Sequence, residues 1–110
     1  MIARIWRGLT ARENADEYLS YLRLTGLKEY QDTAGNRGAF VLRRDQGERC
    51  EFVLISLWDS IDAVRAYVGE NAEVAKYYPD DTRYLLEMEP NVRNYEVADA
   101  GVLEQLLSQV

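Results

Sequence analysis

The chain has 110 residues, 47% of them hydrophobic, with a formal net charge of -6 and a sequence pI of about 4.6. That length suits one domain with one core, and the apolar fraction is too high for a disordered protein. The acidic balance argues against a nucleic acid or an anionic membrane as partner, because the Lys and Arg residues are scattered and only Arg43 and Arg44 are adjacent.

The opening Met1-Ile2-Ala3-Arg4 alternates and lacks the apolar stretch of a signal peptide, and no segment is long enough to span a bilayer, so the expected compartment is the cytoplasm. Residues Ile2 to Leu9 predict a strand in which Ala3, Ile5 and Leu9 form an apolar face that Arg7 interrupts. Asn14 is the preferred cap of the following helix, since Ala15, Tyr18, Leu19 and Leu22 then fall at helical spacing. Gly26 interrupts that helix, Leu27 to Gln31 adds a turn, and Asp32 to Asn36 ends it. Gly38 to Arg44 and Arg49 to Trp58 read as strands of a hairpin turned at Asp45-Gln46-Gly47-Glu48.

The single cysteine, Cys50, cannot form an internal disulfide, and with no histidine to activate it a core role is expected. It opens a run, Phe52 to Trp58, so apolar that both faces of the strand need cover. Ser60 caps a helix carrying Ile61, Val64, Tyr67 and Val68, and a further helical stretch is expected over Ala72 to Tyr78, stopped by Pro79. Asp80 to Glu89 suggests a helical turn leading into extended chain, with Asn91 to Ala98 the last strand. Val102, Leu103, Leu106, Leu107 and Val110 form an apolar stripe that predicts a C-terminal helix docking on the rest of the protein. The expected fold is therefore α+β and ferredoxin-like, βαββαβ with a four-stranded antiparallel sheet and an extra C-terminal helix. Its domain runs over residues 1–98 and its helical tail over 99–110.

Two stretches are similar to a known family: Met1-Ile2-Ala3-Arg4-Ile5-Trp6-Arg7-Gly8-Leu9-Thr10, and Phe52 to Tyr67 with its Trp58-Asp59-Ser60 junction. Through them the chain resembles the antibiotic-biosynthesis-monooxygenase-like proteins of the dimeric α/β-barrel superfamily, over roughly residues 1–98. The resemblance implies a homodimer whose two sheets face each other, and a pocket in each subunit between sheet and helices. Members include cofactor-free monooxygenases of polycyclic aromatic quinone precursors and heme-degrading enzymes. At the Asn, Trp and His positions of the heme-degrading branch this chain has Arg7, Tyr67 and Tyr77, so heme degradation is disfavoured.

A cofactor-free oxygenase needs a flat apolar pocket, a group that stabilises an anion and shelter from water. With eight Tyr and two Trp the chain is aromatic-rich. The resemblance points to Arg7, Tyr67 and Tyr77 as catalytic residues and to Trp58 and Tyr78 as substrate-binding residues, with no metal and no cofactor. Each has a plain alternative. Trp58 suits the core, Tyr77 and Tyr78 seal an edge, and Arg7 either pairs with Glu51 or holds an anionic ligand. Tyr18 and Tyr21 read as packing residues, and Asp80-Asp81 as a loop or helix cap. No general base is identifiable. Two functions stay open: a cofactor-independent monooxygenase acting on an aromatic or quinone-type molecule, or a non-catalytic dimeric module that binds a small aromatic ligand or is purely structural.

Overall fold

The computed structural model describes residues 1–103. Strand β1 (Ile2–Ala11) leads through one 3-10 turn (Arg12–Asn14) into α1 (Ala15–Leu24) and α2 (Gly26–Asp32). The hairpin β2 (Asn36–Gln46) and β3 (Arg49–Trp58) follows, then α3 (Ile61–Val68), α4 (Asp81–Tyr84), β4 (Leu85–Glu87) and β5 (Arg93–Glu96). The antiparallel sheet runs β2-β3-β1-β4, with β5 also paired to β1. This is the ferredoxin-like order, with the helices on one face. No helix among the described residues is long and apolar enough to cross a membrane.

Local chemistry accounts for most boundaries. The hairpin turns in two residues, Gly47 and Glu48, with Gly47 at φ 65, a conformation that glycine supplies without steric cost. Ser60 accepts a hydrogen bond from the Ala63 amide and starts α3, as its position predicted. Asn14 stands at the N-cap of α1, but its side chain makes no capping bond. An interruption is present but falls one residue before the expected Gly26, at Thr25, and Gly26 itself is the first residue of α2.

Two expectations need correction. The sheet has five strands rather than four, because its fourth position is filled end to end by two short strands, β4 beside Leu9–Thr10 and β5 beside Ile2–Ile5. Pro90 lies between them and has no amide hydrogen for a ladder, so the chain leaves the sheet there. The helical stretch expected over Ala72 to Tyr78 is instead an irregular strap. Its polar groups bond elsewhere: the Ala75 amide to the Pro90 carbonyl, the Glu73 carbonyl to the Val92 amide, and the Ala72 carbonyl to Arg4 and Asn94. A third expectation, the docked C-terminal helix, is neither met nor overturned: Leu106, Leu107 and Val110 of its stripe lie outside the described residues, and Val102 is exposed.

Strand parity then separates two faces. Arg4, Trp6, Gly8 and Thr10 of β1 face the helices, with Cys50, Phe52, Leu54, Ser56 and Trp58 of β3 beside them. Cys50 is a free, fully buried thiol. Tyr30, Trp58 and Tyr67 form an aromatic knot, with ring centroids 4.8 to 5.7 Å apart. The opposite face carries Ile5, Arg7, Val53 and Ile55, flanked by Phe40, Leu42 and Tyr95, which are 46%, 49% and 48% exposed.

Candidate functional site

Between the sheet and the strap lies a cavity lined by Arg4, Trp6, Tyr30, Tyr67, Tyr78 and Asp81, with Tyr77 and Lys76 among its other neighbours. β1 brings Arg4 and Trp6 to it because they share strand parity. Tyr30 comes from α2, Tyr67 from the last turn of α3, and Asp81 from the first residue of α4. Gly8 makes room for the Trp6 ring, since a Cβ there would collide with the Cη2 and Cζ2 atoms of the indole. The cavity is small. Its volume of about 30 Å³ holds roughly two waters.

The polar groups form a chain from the interior to the surface. The Tyr67 and Tyr78 hydroxyls are 3.1 Å apart, and Tyr78 donates to the Glu29 carboxylate, which also takes the Lys76 ammonium. Tyr77 accepts from the Trp6 indole at 3.3 Å and donates to the Glu89 carbonyl at 2.5 Å. The Asp81 carboxylate, only 3% exposed, accepts from the Tyr78 amide at 2.6 Å. Arg4 is 2% exposed and donates to the carbonyls of Ala72 and Val74, each at 2.5 Å.

Burial raises the phenols of Tyr67, Tyr77 and Tyr78 above their ordinary range, so all three stay protonated at neutral pH and serve as hydrogen-bond donors, not bases. The two carboxylates beside them diverge. Burial pushes Glu29 up, but Lys76 and Tyr78 together hold it below its usual value. Burial lifts Asp81, against the pull of the Tyr78 amide. Asp81 is thus the better proton acceptor of the pair, and environments that separate two acids in this way are a mark of acid–base sites.

Of the residues singled out by sequence, Tyr67, Tyr77 and Tyr78 line the cavity together. Trp58 does not. It is fully buried behind Tyr67, its indole donating to Ser56 at 2.9 Å. Arg7 lies on the opposite face of the sheet, ion-paired with Glu51, which is the plainer of its two sequence readings. Its assignment to the pocket assumed that the more apolar parity of β1 faces the helices. In the structure the parity holding Arg4, Trp6 and Gly8 does so, because one large ring needs a glycine beside it. Sequence reasoning also missed Asp81, whose burial depends on where the strap crosses.

The comparisons with known proteins add one point. No family model matches the sequence, and no curated protein matches it. Among solved structures, the chain is similar to the heme-degrader MhuD from Mycobacterium tuberculosis, solved with two hemes bound in its active site. The TM-score is 0.56 at 19% identity, over 92% of this chain and all of the other. The two share a fold. At that identity the likeness to MhuD extends to the ferredoxin-like α+β architecture and no further. The cavity offers a heme iron no histidine, since the chain has none, and only tyrosine phenols among its lining could take that place.

Proposed function

We propose that the chain is a monooxygenase-like protein that oxidises a small hydroxyaromatic or quinone-type molecule without metal, flavin or heme, and that it works as a homodimer. The observation that carries this reading is the convergence of a buried, proton-accepting Asp81 with Tyr67, Tyr77 and Tyr78 on one aromatic-walled cavity. Asp81 supplies the base that the sequence alone lacked. It takes the substrate's hydroxyl proton. The electron-rich phenolate then passes an electron to dioxygen, and the radical pair recombines at a ring carbon. One oxygen stays as a quinone carbonyl and the other leaves as water. The tyrosine hydroxyls hold the developing oxyanions by hydrogen bonds.

A ring enters only if the strap swings outward, which releases the Lys76 and Tyr78 contacts to Glu29. The tight closure of that space favours a second reading, a module of the same fold that binds a small aromatic molecule without turning it over. Oxygen uptake with hydroquinone or hydroxynaphthacene substrates in metal-free buffer separates the two. Uptake that falls at least about tenfold in Asp81→Asn supports the enzyme, whereas binding without uptake supports the module. Turnover only after titration with hemin would replace the substrate class altogether.

The homodimer rests on the outer sheet face, where Phe40, Leu42 and Tyr95 leave large apolar surface in water. Sedimentation at micromolar concentration should give twice the 12.7 kDa chain mass. A sharp monomer boundary would remove the dimer from the proposal.

A further inference from the structure

Arg4 is a buried cation without a counter-charge. Its side chain lines the cavity, and no carboxylate pairs with it among the described residues. Two of its nitrogens are satisfied by backbone carbonyls, which accept hydrogen bonds but carry no net charge, and Nε is buried with no hydrogen-bond partner. The ionisable side chains nearest its charge are the Tyr30 and Tyr67 phenols, which burial keeps protonated and therefore neutral. Carboxylates are not scarce in this chain, with 19 Asp and Glu against 13 Lys and Arg, so their absence beside Arg4 is a matter of position. Burying an unpaired guanidinium is costly unless something else supplies the negative charge. Holding the strap does not require the charge, since an uncharged donor would satisfy the same carbonyls.

We propose that the cavity is an anion site in which Arg4 holds the ionised oxygen of its ligand, so that the molecules it takes are small aromatic acids such as acidic phenols and hydroxyquinones. The inference rests on the reading that the pocket admits a flat aromatic molecule, and it names the class. Two other charged groups line the same cavity. Lys76 is neutralised by Glu29. Asp81 makes no ion pair with Arg4, and its carboxylate takes the proton as the ligand binds. When the ligand arrives protonated, its O–H bond breaks, an Asp81 O–H bond forms, and the new anion lies against Arg4 with the net charge of the cavity unchanged. A ligand already ionised in solution brings its own negative charge to Arg4.

The test compares two ring systems of nearly equal shape, 2-hydroxy-1,4-naphthoquinone, an anion at neutral pH, and neutral 1,4-naphthoquinone, each titrated calorimetrically into the full chain. The anion should bind at least about tenfold more tightly. That preference should vanish in Arg4→Gln and survive in Arg7→Gln, whose arginine lies on the other face of the sheet. Equal affinities in the native chain, or a preference that outlives Arg4→Gln, overturn the anion site and leave the pocket intact. Failure of both quinones to bind at millimolar concentration overturns the pocket and the anion site together. Should Arg4→Gln fail to fold, 4-nitrophenol read on the native chain decides instead. Its yellow phenolate should persist to lower pH when bound than when free, and an unchanged or raised ionisation pH overturns the site.

Discussion

Arg4 and Arg7 stand three residues apart on one strand, an odd spacing that sends them to opposite faces of the sheet. On the outer face Arg7 is 40% exposed and shares Glu51 with Arg44, whose contact is 3.1 Å. On the inner face Arg4 is sealed beneath the strap and meets carbonyls and phenols. The first arrangement is ordinary charge management at a surface. The second keeps a full positive charge in the interior with no acid ion-paired to it, although Asp81 lines the same cavity. The difference teaches that an arginine's meaning lies in its partners more than in its residue type.

The largest test of this contrast is in the inner wall. Trp58→Ala should lower unfolding free energy by about 3–5 kcal/mol in urea titrations, because a fully buried indole packed on Tyr30 and Tyr67 leaves a cavity. A loss near zero would mean that the aromatic knot carries little of the core. On the outer face, Ile55→Lys places a charge between Ile5 and Phe40 and should halve the sedimenting mass if two sheets meet there.

The pH dependence of the two faces should run in opposite directions. Glu51 is held below its ordinary value, chiefly by its hydrogen bond to Arg7, so its stabilisation is present above the usual carboxylate range and fades as pH falls through the lowered value. Asp81 is raised, so the native state loses stability as pH climbs from below the usual carboxylate range up to the raised value. Asp81→Asn keeps an oxygen for the Tyr78 amide and removes that loss. The variant should therefore melt higher than the parent at neutral pH while losing oxygen uptake, and a lower melting temperature would argue that the charge is structural. The smallest effect belongs to Arg7→Ala, a partly exposed pair worth about 1 kcal/mol by chemical denaturation.

Much of the fold was legible because its signals are local. Alternation marked β1 and the hairpin, Ser60 marked α3, and the apolar run from Phe52 to Trp58 marked β3. The strap was not legible. Ala72 and Ala75 sit at helical spacing, yet both are buried in an irregular segment whose carbonyls and amides are claimed by Arg4, Asn94, Pro90 and Val92, all distant in sequence. The site shows the same division. The tyrosines stood out by type and place, whereas Arg4 was hidden because Ala3, Ile5 and Leu9 made the other parity of β1 look like the inner face. Asp81 was hidden because burial of a carboxylate is decided by the chain that crosses over it. A clue to parity was present: Trp6 and Gly8 fall on the same side of β1, and a large ring flanked by a missing side chain suggests a packed interior.

The split at Pro90 bears on self-association of another kind. A sheet margin with a long row of free amide and carbonyl groups is a template for runaway strand addition. On one flank this sheet ends in strands of three and four residues, interrupted by a proline, which gives an incoming strand little to zip onto. The other flank is β2, eleven residues long and bearing Arg37, Arg43 and Arg44. Fibril growth from the native chain should begin there, and neutralising those three arginines should shorten the lag of a thioflavin assay, while matching changes along β4 and β5 leave it unaltered.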